Sequence, residues 1–199
     1  MGGKSAAGGA TTAGSAGSSA GDAGNDGSSG EGGNAAPEGG PGPKFSDFVG
    51  LNGFIDDDKE KLAAVGNVRE YHDWGFSDAS ATPYPDERLE FSRWEGFWDF
   101  DDYYRSLKTA GVTVFPCLQG SVEALGNRMP PIAEAADPSD PASYLAHASF
   151  LFQYAARYGS VTVPESALKL ADGQVVASGL GSLRYFENGN EPDADWVNS

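Results

Sequence analysis

From Phe48 to Phe186 the chain alternates short apolar runs with amphipathic stretches, and that rhythm predicts strands separated by helices. Phe48-Val49-Gly50-Leu51 reads as a first strand, with Asn52-Gly53 as its exit. Asp56 to Asp58 then supply caps and first-turn negative charge to a short helix carrying Leu62 and Val65, which Gly66 stops. Asn67 to Trp74 predicts a second strand. A loop containing Pro83 and Pro85 runs into the aromatic cluster Phe91, Trp94, Phe97, Trp98 and Phe100. Asp99 caps a second helix, in which Tyr103, Leu107 and Ala110 keep helical spacing and Gly111 marks the end. Val112 to Leu118 predicts a third strand, although Pro116 within it removes one ladder hydrogen bond.

After a loop with Pro130 and Pro131, Asp140-Pro141 begins the clearest helix, Asp as N-cap and Pro in the first turn. Its expected apolar face is Tyr144, Leu145, Ala148, Leu151, Phe152, Ala155 and Tyr158, and Gly159 its stop. Ser160 to Ser182 connects it to a fourth strand at Leu183, Tyr185 and Phe186; Asp172-Gly173 between apolar runs suggests a small hairpin on the way. Four strands joined by three crossovers indicate an α/β fold built from parallel βαβ units.

Composition sets the boundary of that fold. Residues 1–44 contain 15 of the 28 glycines and no Val, Ile, Leu, Cys or aromatic residue, so they read as a disordered Gly/Ala/Ser tether. Residues 45–199 form the one folded domain. The net charge of −16 repels nucleic acid and anionic membrane surfaces but not a neutral polysaccharide or oligosaccharide. No apolar run is long enough to span a bilayer, and no signal-peptide pattern is present. A Gly/Ser tether ahead of a catalytic domain suggests a bacterial envelope or extracellular protein, with Met1 as an internal start or the remnant of a removed signal or lipid-anchor segment. The single cysteine, Cys117, forms no CxxC motif and reads as a small buried hydrophobe.

The stretch Leu183 to Asp193, LRYFENGNEPD, carries the candidate chemistry. It begins as an apolar strand, turns abruptly polar, and ends in Asn190-Glu191-Pro192. A carboxylate beside an amide at a strand's carboxyl end is a common way to build a site on an α/β scaffold. Pro192 donates no ladder bond and confines Glu191 to extended angles, which breaks the strand and lets both side chains reach one pocket.

Asn-Glu-Pro in this setting resembles the fourth-strand signature of glycoside hydrolase clan A, the retaining (β/α)8-barrel enzymes with cellulase-like and xylosidase/iduronidase-like members. The resemblance implies a TIM barrel truncated to its first four βα units, with Glu191 as general acid/base and Asn190 on the sugar hydroxyl next to the anomeric carbon. Arg157-Tyr158-Gly159 is similar to the RYG that often precedes the signature strand, here separated from the start of that strand by the 23 residues of Ser160 to Ser182. Arg69 is similar to the clan arginine that braces the nucleophile; the competing reading is an ordinary ion pair with Glu70 or a loop carboxylate. A barrel needs eight strands and about 250 residues. Retaining hydrolysis needs a second carboxyl about 5 Å from the first. In the clan that nucleophile lies on strand seven, beyond Ser199, so this chain alone is expected to be inactive.

His72, Asp73 and Trp74 end the second strand, where imidazole and carboxylate would bond sugar hydroxyls and indole would stack on a sugar face. The alternative is a capped strand end with a half-buried Trp. Trp196 is a candidate subsite wall. Most of the aromatics between Phe91 and Phe100 read as buried under the long second loop. His147, mid-helix, reads as a surface or packed residue. No cofactor is implied. Asp56 to Asp58 read as caps rather than metal ligands, and no Ser nucleophile elbow, phosphate loop or HExxH helix occurs. A rival class is a non-catalytic carbohydrate-binding remnant; a third is an unrelated α/β hydrolase or lyase with a coincidental strand-end carboxylate. Open edges at strands one and four are expected to promote self-association.

Overall fold

The longest paired strands lie next to each other at the centre of one parallel sheet. The computed structural model describes residues 44–92 and 98–190. Its sheet has four strands in chain order: β1 (Gly50–Gly53), β2 (Asn67–Asp73), β3 (Thr113–Gln119) and β4 (Glu187–Asn188). All three pairings are parallel, with Arg69 opposite Phe115 and Cys117 opposite Glu187. The helices are α1 (Phe45–Phe48), α2 (Lys59–Leu62), α3 (Phe100–Thr109) and α4 (Leu145–Tyr158). The α/β alternation is therefore as the sequence predicts. Among the described residues no helix is long and apolar enough to cross a membrane.

Several boundaries differ. Phe45–Phe48 closes a helical turn, Val49 N donating to Phe45 O at 3.1 Å, so the first strand starts two residues later than expected and includes Asn52 and Gly53. Glycine is needed at position 50, since a Cβ there would stand 2.9 Å from the Asn67 carbonyl oxygen of the neighbouring strand. β2 ends at Asp73, because Asp73 accepts from Gly75 N at 2.8 Å and turns Trp74–Ser77 into a 3-10 helix. Pro116 sits within β3 opposite Glu70, one residue short of where the ladder to β4 begins.

The capping signals hold. Asp58 accepts from Glu60 N, Asp99 from Asp102 N and Asp140 from Ala142 N, each at about the ideal N–H···O length. Pro141–Tyr144 is a 3-10 turn that leads into α4 rather than the first turn of the α-helix itself.

The main correction concerns α4. The expected apolar face is largely turned outward: Leu145 and Phe152 are 50% and 46% exposed. The buried side carries Phe150, Gln153, Tyr154, Arg157 and Tyr158. Two of these are polar and fully bonded inside, Gln153 to Ala167 O and Lys169 N, Arg157 to Asp101. With Phe100, Tyr103, Tyr104 and Leu107 of α3 and Val68 of β2, Phe150, Tyr154 and Tyr158 form an aromatic-rich core on one side of the sheet.

The stretch Ser160 to Ser182 forms no hairpin. Asp172-Gly173 is a turn, but the chain before it pairs with the loop after β2, Leu89 N donating to Lys169 O and Ala171 N to Leu89 O, both at 2.9 Å. Further on, the amides of Gly179, Leu180, Gly181 and Leu183 donate to the carbonyls of Ala156, Arg157, Gly159 and Tyr158. A helix end leaves such carbonyls without intrahelical partners, and this segment satisfies them. Leu183 is buried by that docking rather than by strand pairing, so β4 begins only at Glu187, past the predicted Leu183 to Phe186.

Candidate functional site

Strand parity decides which predicted residues meet. Along β2, Val68, Glu70 and His72 are buried against the helices, while Asn67, Arg69, Tyr71 and Asp73 alternate onto the opposite, open face. An open concavity of about 440 Å³ lies over Asn52, Asn67, Arg69, Phe115 and Glu187 on that face.

Arg69 is its hub. The guanidinium donates from Nε and Nη2 to Glu187 Oε2 at 2.8 and 2.6 Å, from Nη2 to Asn190 Oδ1 at 3.1 Å, and from Nη1 to the Tyr71 hydroxyl. The bond to Glu187 raises the Arg69 pKa above its ordinary value. Two aromatic pairs flank the hub: Phe54 on Tyr71, centroids 6.3 Å apart, and Phe115 on Tyr185, 5.3 Å apart. Phe54 and Tyr185 are about half exposed. Between them Cys117 is buried, and burial pushes its thiol up to about 11, so it is a poor thiolate and packs as a small apolar residue.

The structure thus brings Arg69 and Asn190 together across β3 and pairs Arg69 with Glu187 rather than with Glu70. Glu191 and Trp196 lie outside the described residues, as do Trp94 and Phe97. Phe91 and Phe100 are buried. Glu187 and Tyr71 were passed over in the sequence, where Glu187 read only as the start of a polar turn. The signal was available: Tyr71 shares Arg69's parity on β2, and Glu187 is the first carboxylate after the apolar run.

His72 and Trp74 are placed differently from expectation. His72 is fully buried on the helix side, with Nε2 2.9 Å from Ser77 Oγ and Nδ1 3.6 Å from Glu70 Oε1. Hydroxyl, imidazole and carboxylate in that order imitate a nucleophile with its base. All three are buried, however, and the second spacing exceeds a hydrogen bond. Glu70 instead accepts from the Tyr104 hydroxyl at 2.7 Å, and Tyr104 bonds Tyr154. The cluster is an internal brace between β2, α3 and α4. Trp74 is 3% exposed and stacks on Phe150 at 5.0 Å and His147 at 5.6 Å, which leaves no ring face for a sugar. Asp73 stands at the strand end, where burial raises its pKa against the opposing Gly75 N–H bond. A Cβ on Gly120 would lie 2.3 Å from Asp73 Oδ2, so glycine there makes room for the carboxylate.

His147 gives a pH test. Burial lowers its pKa, so the folded state resists protonation. Its contribution is complete above the ordinary value of 6.5 and is lost as pH falls through the lowered folded value. The melting temperature of the wild type is expected to fall further between pH 7 and pH 5 than that of His147→Phe. Parallel curves would refute this.

A larger depression, about 840 Å³, runs between α3 and residues 173–182, but its acids are committed, Asp99 to capping α3 and Asp101 to Arg157. Among the described residues no group of three or more His, Cys, Asp or Glu is arranged to hold a metal ion. Fold and site together define an α/β protein with a polar, aromatic-flanked cluster on the open face of a parallel sheet, reaching its carboxyl end at Asn190. Compared with known proteins, the chain matches no family model, no curated protein and no solved structure.

Proposed function

We propose that the chain is the acid/base-bearing portion of a retaining glycoside hydrolase, four βα units of a (β/α)8 barrel, acting on a polysaccharide or oligosaccharide. One observation carries the reading. Arg69 Nη2 donates to Asn190 Oδ1 at 3.1 Å, joining two residues of the clan resemblance that are 121 positions apart in the chain. Support also comes from the sheet, whose four parallel strands in chain order are what the first half of such a barrel contains. The open face would then be the barrel interior, and β1 and β4 the edges that further strands close.

In this reading Glu191 protonates the leaving oxygen and later deprotonates water, Asn190 holds the hydroxyl beside the reacting carbon, and a carboxylate on a later strand is the nucleophile. Arg69, already charged and anchored, would help keep that nucleophile ionised. The envelope or extracellular setting belongs to the same proposal. The half-exposed rings of Phe54 and Tyr185 favour one other reading, a glycan-binding remnant without catalysis.

The test uses the natural polypeptide carrying this stretch, a panel of β-linked glucans and xylans, and proton NMR of the newly released reducing end. Release with retained anomeric configuration is expected. Inverted product overturns the reading, and binding without release replaces it with the remnant.

A further inference from the structure

We propose that Glu187 is a positioning residue: it holds the Arg69 guanidinium, and Arg69 in turn fixes which way the Asn190 amide faces. A guanidinium only donates hydrogen bonds, so the Asn190 atom that meets Nη2 at 3.1 Å is the amide oxygen. The amide nitrogen is then turned away from Arg69 and offers two N–H donors. A ligand group meeting that nitrogen must therefore be an acceptor, such as a hydroxyl oxygen.

What holds the guanidinium in that attitude is Glu187. One carboxylate oxygen, Oε2, takes both Nε–H and an Nη2–H, at 2.8 and 2.6 Å, which fixes the position of that edge of the fork. Nη2 is shared between Glu187 and Asn190, so the first bond aims the second. Tyr71 holds the far side through Nη1. The Arg69 and Glu187 side chains keep 27% and 38% of their exposure, and an ion pair that solvated adds little to stability. Its consequence is geometric.

The identity of the ligand rests on the glycosidase reading, but the positioning itself can be measured without ligand. The experiment records the side-chain amide resonances of the ¹⁵N-labelled chain, with the Asn190 pair assigned through Asn190→Asp. Glu187→Gln is expected to displace that pair while the Gln153 side-chain amide, buried on the helix side of the sheet, stays in place. In an Arg69→Lys background the same substitution is expected to leave the Asn190 pair unmoved, because the relay is already cut. Glu187→Asp, which keeps the charge but shortens the reach, serves if Glu187→Gln does not fold, and is expected to displace the pair by less.

No displacement, or an equal displacement in both backgrounds, overturns the proposal. Cellotetraose and xylotetraose are then titrated into the same samples. Binding is expected to weaken about tenfold in Glu187→Gln, the loss of one oriented hydrogen bond, with partial recovery in Glu187→Asp. If the relay appears in the resonances and neither sugar binds the wild type, the positioning role stands and the glycosidase reading falls.

Discussion

Replacing Arg157 by alanine is expected to cost about 3–5 kcal/mol of folding stability, a large part of the roughly 5–15 kcal/mol that holds a domain together. The side chain is 1% exposed. It pairs with Asp101 through two bonds, Nε to Oδ1 at 2.8 Å and Nη2 to Oδ2 at 2.6 Å, and Nη1 reaches Val175 O at 3.0 Å. Alanine would leave a carboxylate that is only 19% exposed without its cation, and a carbonyl without its donor. The loss comes from orphaned groups more than from the missing attraction. The pair Arg157→Met with Asp101→Leu, which removes both charges, is therefore expected to be milder than Arg157→Ala alone. Urea unfolding at 25 °C measures both, and a single-variant loss below about 1 kcal/mol would show that water reaches Asp101 freely.

On the proposed glycosidase reading, Glu191→Gln is expected to lower hydrolysis by the natural polypeptide about 10²–10⁴-fold, the usual contribution of a general acid/base. An amide N–H is far too weak an acid to protonate the leaving oxygen. The deficit should shrink when the leaving group is an activated phenol, which departs without protonation, because only the second step, attack of water, then needs the carboxylate. A loss of the same size on poor and good leaving groups would assign Glu191 to a different role.

The framework was legible wherever local chemistry acts alone. Asp58, Asp99 and Asp140 cap as their spacing implies, and the run read as the second strand, Asn67 to Trp74, is paired from Asn67 to Asp73. Failures cluster where tertiary contacts reverse the value of a side chain. Hydropathy counts Gln153 and Arg157 as polar, yet each finds its partners inside, so the buried face of α4 is offset from its most apolar one. Leu183 looks like a strand residue, but its amide is taken by the end of α4. At the site, the resemblance singled out Arg69 and Asn190, which the structure places in contact. Glu187 was passed over although it is the first carboxylate after the apolar run, because the Arg69 that gives it weight lies 118 residues away. His72 and Trp74 failed together, since one strand cannot aim Arg69 and His72 at the same face.

The brace of tyrosines behind β2 also has an optical consequence. Of the eight tyrosines, Tyr103, Tyr104, Tyr154 and Tyr158 are buried, and burial drives the pKa of each upward. A phenol whose folded value is raised contributes stability below its ordinary value, near 10, and withdraws it as the solution becomes more alkaline. The phenolate absorbance of the buried four should therefore appear together, as the core opens. Alkaline denaturation of this chain would carry its own chromophore.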